Sequence, residues 1–148
     1  MRVASILLFL FLHVSLIHLS LLSPSPSMNA SLAFERKHLD TKAESDDRYC
    51  NEQMRKRGMT SPNCTLMNLF IRTHIKEINR VCRHLGNIYG NDLKVSQHQY
   101  LVTECRYLRG QPPNACRYWA ISNWRYLIII CDQEGNPISL NSTMVGAV

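Results

Sequence analysis

Six cysteines, Cys50, Cys64, Cys82, Cys105, Cys116 and Cys131, constrain this chain more than any other feature. All six follow an apolar leader, and an even number in an exported chain implies three disulfides. A chain of this size buries only a modest core, so covalent staples matter to its stability. No two cysteines stand in C-x-x-C spacing and no Cys/His cluster has the spacing of a zinc site, so no metal and no cofactor are expected. Six cysteines allow fifteen pairings, and spacing alone does not choose among them.

The leader sets the compartment. Arg2 gives a positive start, residues 4–22 are uncharged and mostly apolar, and Ser23-Pro24-Ser25-Pro26-Ser27 breaks any helix while offering small residues for cleavage. This pattern is a signal peptide over residues 1–27, cut somewhere between 22 and 30, with residues 28–148 as the mature domain. The run is long enough to span a bilayer as an anchor. However, His13 and His18 interrupt it and no basic cluster follows at once. A secreted, extracellular protein without stable membrane insertion is the expectation. The 148 residues carry 17 Lys+Arg against 11 Asp+Glu, a formal charge of +6 that suits polyanionic partners. With 45% apolar and 19% charged residues the chain is not disordered throughout.

Along the mature chain the periodicity changes from helical to extended. A short helix is expected over 31–40. A second opens at Asp46-Asp47, whose acids suit the positive end of a helix, turns Tyr49, Cys50 and Met54 inward, and stops at Gly58. Thr73 is placed to cap a third, with Ile75, Ile78, Val81, Cys82 and Leu85 at helical spacing before Gly86. Strands are expected over 67–71, 95–107, 116–121 and 125–131, with Gly110-Gln111-Pro112-Pro113-Asn114 as a turn. Helices first and strands later make an α+β domain. Tyr118, Trp119, Trp124 and Tyr126 are expected to pack the sheet.

Several motifs occur in an order that resembles the ribonuclease A superfamily. Phe34-Glu35-Arg36-Lys37-His38-Leu39-Asp40 is similar to the helix that carries the family's first catalytic histidine. Asp47-Arg48-Tyr49-Cys50-Asn51 and Arg57-Gly58-Met59-Thr60-Ser61-Pro62 are similar to the second helix and the turn after it. Cys64-Thr65-Leu66-Met67-Asn68-Leu69-Phe70 keeps three of the five fixed positions of the signature Cys-Lys-x-x-Asn-Thr-Phe. Asn114-Ala115-Cys116-Arg117-Tyr118 and Glu134-Gly135-Asn136-Pro137 complete the pattern, with the six-cysteine spacing of its angiogenin-like members. The resemblance implies disulfides Cys50–Cys105, Cys64–Cys116 and Cys82–Cys131. It implies a V-shaped fold of three helices and a bent antiparallel sheet, with the active site in the cleft.

RNA cleavage of this kind needs a base for the ribose 2′-hydroxyl proton, an acid for the leaving oxygen and a cation for the charged transition state. The resemblance places the first histidine at His38. It places the lysine at Thr65, the second histidine at Ser139 and the aspartate that orients it at Asn141. No histidine follows His98. One general acid is worth about 10²–10⁴ in rate. One preorganised electrostatic donor is worth roughly 10²–10³. The expectation is a catalytically degenerate member without nuclease activity that acts by binding nucleic acid or other polyanions. Host defence and a reproductive-tract role are the settings the resemblance implies. The alternative is a weak endoribonuclease cleaving 3′ of pyrimidines through His38. Lys37 is the one nearby cation, but consecutive helical side chains diverge by about 100°.

Candidate polyanion contacts are Arg36, Lys37, Asn68 and the run Arg55-Lys56-Arg57. Arg72, Lys76, Arg80 and Arg83 recur at helical spacing on one side. Each basic group also has the plain reading of a solvated helix face. Sequons begin at Asn29, Asn63 and Asn141, which makes a glycoprotein of the chain if they are occupied. Thr65 completes the second sequon and Asn141 starts the third, so glycans there would crowd the cleft. A cell-surface receptor or ribonuclease inhibitor are further partners that the resemblance implies.

Overall fold

The computed structural model describes residues 25–146, together with residues 6–11 and 13. Of the expected signal peptide over 1–27, residues 1–5, 12 and 14–24 lie outside the described residues, and of its cleavage window only 22–24 do. Among those described, no helix is long and apolar enough to cross a membrane.

Helix α1 (Pro26–His38) starts five residues earlier than expected. Ser25, read as a helix breaker, is its N-cap and accepts a hydrogen bond from the Met28 amide at 3.2 Å. Pro26 occupies the first turn, where a missing N–H is harmless and its fixed φ suits the helix. Helix α2 (Asp47–Lys56) is capped by Asp46, which accepts from the Tyr49 amide at 2.7 Å, and buries Tyr49, Cys50 and Met54 as the pattern required. Gly58, at φ +75°, takes the left-handed turn beyond it. The third helix begins one residue late. His74, not Thr73, occupies the cap position without a side-chain bond, α3 covers Ile75–Arg80, and a π-helical turn carries Val81–Leu85 on to Gly86.

The strands are β1 (Met67–Ile71), β2 (Gly86–Gly90), β3 (Leu93–Ser96), β4 (Tyr100–Arg109), β5 (Arg117–Cys131) and β6 (Pro137–Met144). All pair antiparallel in the order β1-β4-β5-β3-β2, with β6 also on β5. Two expected strands, 116–121 and 125–131, are one continuous β5. Its first part pairs with β4 and its last part with β3 and β6, so one strand carries both arms of the bent sheet. The single strand expected over 95–107 is instead broken between β3 and β4. Ser96 fixes that corner, donating to the His98 carbonyl at 2.7 Å and accepting from the Leu127 amide at 2.9 Å. Gly110 is required at the β4–β5 turn: its φ is +100°, and a Cβ there would lie 1.7 Å from the Ala115 carbonyl oxygen.

The core is divided. Phe34, Leu39, Ile71, Ile78, Val81, Val102, Leu127 and Ile129 fill one arm with Cys82 and Cys131. Tyr49, Met54, Phe70 and Tyr118 fill the other with Cys50, Cys105 and Cys116. Disulfides join Cys50–Cys105, Cys64–Cys116 and Cys82–Cys131, the pairings the resemblance implies. Fold class, helix number and sheet type agree with the sequence reading. The packing of the tryptophans does not. Tyr118 is buried, but Trp119 is 37% and Trp124 59% exposed.

Candidate functional site

The cleft between the arms has a volume of about 480 Å³ and gathers residues from five elements. Lys37 and His38 come from the end of α1, Asn68 from β1, Glu104 and Arg106 from β4, Arg125 from β5 and Ser139 from β6. The last turn of α1 is fixed to β1 by three bonds. Asn68 Nδ2 donates to the Lys37 carbonyl at 2.9 Å, His38 Nδ1 meets the Leu69 carbonyl at 2.9 Å, and the Asp40 amide donates to the Ile71 carbonyl at 3.1 Å.

This anchoring settles the chemistry of His38. A carbonyl oxygen only accepts, so Nδ1 carries the proton and Nε2 of the neutral ring keeps its lone pair. Burial is the main cause that lowers the pKa of His38 below its usual value; Lys37 and Arg57 also lower it, while the Leu69 bond opposes them. The ring is therefore a neutral base at pH 7. Phe34 packs against it at 5.4 Å between ring centroids.

Ser139 lines the same cleft, opposite Ile130 in the β5–β6 register. Asn141 is the extra residue where that register slips between Ile128 and Ile129, and it also lines the cleft. Thr65 does not. It is exposed just before β1, its amide donating to the Met59 carbonyl at 2.8 Å, and its side chain is not part of the lining. Lys37 does line the cleft beside His38, which the divergence of neighbouring helical side chains argued against. It sits in the last turn of α1, where the helix end opens onto the cleft.

A second cluster forms the floor. Glu104 is only 5% exposed, and its carboxylate accepts from Arg106 Nε and from Arg125 NH2 at 3.2 Å. Arg125 NH1 donates to Thr143 Oγ1 at 3.2 Å, while its buried Nε has no protein acceptor. One carboxylate held between two guanidiniums leaves the floor net positive, and Lys37 adds to it. Sequence reasoning missed this cluster. Strand alternation, which puts 104 and 106 on one side of β4, was the available signal; placing Arg125 needed the register.

The other candidate contacts divide. Arg36, Arg55 and Lys56 are exposed, but Arg57 turns inward. It donates to Gln53 Oε1 and the Arg36 carbonyl, lies 3.7 Å from the Asp40 carboxylate, and stacks 5.1 Å from the Phe70 ring centre. Arg57 therefore stitches α1 to α2 and does not extend a basic run. Arg80 pairs with Glu77, and Arg83 donates to the Gly135 carbonyl and Asn136 Oδ1. Asn29, Asn63 and Asn141 are all exposed. Among the described residues no group of three His, Cys, Asp or Glu is placed to hold a metal ion.

The family model for pancreatic ribonuclease matches residues 29–141. The chain belongs to the pancreatic ribonuclease family. It is 36% identical to angiogenin of Miopithecus talapoin over 139 residues, covering 91% of this chain and 94% of that one. It is 34% identical to angiogenin-4 of Mus musculus over 113 residues, 76% of this chain and 77% of that one. The green turtle egg white ribonuclease superposes with a TM-score of 0.70 at 31% identity, over 78% of this chain and 98% of that one. Zebrafish RNase5 gives 0.70 at 27% identity, over 80% and 98%. His38 brings an imidazole to one end of the cleft and Ser139 a hydroxyl to the other.

Proposed function

We propose that this chain is a secreted member of the pancreatic ribonuclease family that binds RNA or another polyanion in its cleft without cleaving it. The observation that carries the reading is the cleft itself. A neutral base, His38, shares it with Ser139, which has no proton to give near neutral pH, and Thr65 lies outside it with no charge. Binding survives such losses because the excess of cations over the single carboxylate remains, whereas turnover does not. The leader and the three disulfides support export. Host defence at microbial surfaces or a reproductive-tract role are the settings such binding would serve. Asn141 bears on access to the cleft, since a glycan on it would stand at the mouth and narrow the way in for RNA. Protein secreted from mammalian cells should lose mass at this site on deglycosylation, and Asn141→Gln should then bind RNA more tightly. Equal RNA affinity for the glycosylated protein and Asn141→Gln would count against a crowded cleft.

The test is an unstructured RNA incubated with the protein and with His38→Ala. The expected result is salt-sensitive binding by both and no cleavage by either. A second reading, a weak endoribonuclease, has its own support. The Leu69 bond leaves His38 Nε2 basic, and Lys37 supplies a cation on the same cleft. Cleavage that His38→Ala abolishes would establish that second reading and overturn the first.

A further inference from the structure

Strand β5 sends alternate residues to opposite sides. Tyr118 is buried against α2, so Trp119 takes the other side, the one shared by Arg125 and the cleft floor. The register sets Trp119 opposite Arg106 of β4, and Arg106 opposite Met67 of β1. Met67 and Arg106 line the cleft, and both are exposed. The cross-strand row Met67–Arg106–Trp119 therefore leads from the cleft onto open sheet without a break. The Arg106 guanidinium lies 5.7 Å from the Trp119 ring centre while its Nε donates to Glu104. Two residues along β5 from Trp119, Arg117 stands opposite Arg109 of β4, both exposed.

Two arginines directly across a strand pair repel, so the fold alone has no use for them there. Arg117 donates only to the carbonyls of Asn114 and Cys116, and among the described residues neither Arg109 nor Arg117 forms an ion pair with a carboxylate. Glu52, the one acid near Arg117, shares its hollow with Arg55 as well. A cationic track with an accessible indole in its middle has the two parts that single-stranded nucleic acid needs, charge for phosphates and a flat apolar face for a base. A sulfated glycan needs the charge and leaves the indole unused.

We propose that Trp119 is a base-stacking platform, positioned by Arg106, for single-stranded RNA that runs from the cleft towards Arg109 and Arg117. The proposal rests on the RNA-binding reading above and adds a second contact outside the cleft. Base–aromatic stacking of this kind is worth about tenfold in affinity per base and tolerates any base.

The test uses the mature protein carrying Trp124→Phe, so that Trp119 is its one fluorophore of this type, and an oligouridylate long enough to leave the cleft. RNA should quench Trp119 fluorescence, while an inorganic polyphosphate of matched charge should bind without quenching. Trp119→Ala should weaken oligouridylate binding about tenfold and leave polyphosphate binding unchanged, with Trp119→Phe intermediate and an unchanged unfolding midpoint. If RNA binds but Trp119→Ala matches the parent, the platform is wrong and the cleft reading stands. Heparin binding that falls equally in Trp119→Ala would make the surface a glycan site and also overturn the proposal. If the parent binds no RNA at all, both readings fail together.

Discussion

Removing the carboxylate of Glu104 should make the protein less stable and a better RNA binder at once. Glu104 has 7% of its side chain exposed and pairs with Arg125, which has 15%. Breaking a pair this deeply buried typically costs about 3–5 kcal/mol, because the remaining charge stays desolvated without a partner. The Arg106 side chain is half exposed, so its pairing adds under about 1 kcal/mol. The unfolding entropy is about 2.1 cal/mol/K per residue, or roughly 0.25 kcal/mol/K for a domain of about 120 residues. A loss of about 3 kcal/mol then lowers Tm by roughly 12 °C in Glu104→Ala. Binding should move the other way. Two guanidiniums freed from one carboxylate neutralise one more phosphate, and the slope of log affinity against log salt should steepen by about 0.7. Calorimetry and a salt titration on an unlabelled single-stranded RNA measure the two effects. Glu104→Leu combined with Arg125→Met should recover most of the stability, since no unpaired charge is left behind. A Tm within about 3 °C of the parent in Glu104→Ala would mean that water already solvates Arg125, and the reasoning about this clamp would be wrong.

Replacing Cys82 and Cys131 together by alanine reopens a loop closed across 49 residues, which should cost about 4 kcal/mol by loop entropy and lower the urea midpoint accordingly. His38 gives a signed pH effect. Its pKa is lowered in the folded state, so the unfolded chain binds more protons; stability is complete above about 6.5 and falls as pH drops through the lowered value. The difference in Tm between the parent and His38→Asn should therefore shrink on acidification from pH 7 to 5, and parallel curves would refute the burial argument. Thr65→Lys with Ser139→His should raise RNA cleavage by orders of magnitude with a bell-shaped pH profile, and neither change alone should do much. An inert double variant with correct disulfides would refute the assignment of positions 65 and 139 to the missing lysine and histidine.

Much of this fold was legible because its constraints are covalent or motif-borne. The pairing was legible only through the family resemblance of the motifs around the cysteines, while capping acids with a glycine stop suffice for α2. The departures have local causes. Ser25 and Pro26 have the chemistry of a helix stop and equally of a helix start, and reading them as a stop hid their part in α1. The aromatic run at 118–126 has the composition of core strand, but alternation allows only one of two neighbours inside. Tyr118 is that one, and Trp119 is left on the open side. Arg57 looked like part of a basic run because its neighbours are basic, yet only the approach of α1 and Phe70 decides where its guanidinium goes.

The cleft was half legible for a physical reason. Its local half, His38 with Lys37 and Asn68, sits on one helix end and one strand next to it, and motif spacing reaches that far. Its non-local half joins β4, β5 and β6, and side-chain alternation on three strands has meaning only once their registers are known. Glu104, Arg106, Arg125 and Trp119 share a face through pairings such as Leu69 with Glu104 and Arg106 with Trp119, which no linear spacing encodes. The same register explains why the charged groups of the floor are held more firmly than the other cleft residues. Glu104, Arg106 and Arg125 hold one another in place, so they support the sheet as well as any ligand, and removing one partner alone leaves an unpaired charge in the floor. Thr65 and Ser139 are exposed and have no such structural partners. A substitution at either of those two positions leaves the fold intact, whereas removing one member of the clamp alone costs stability.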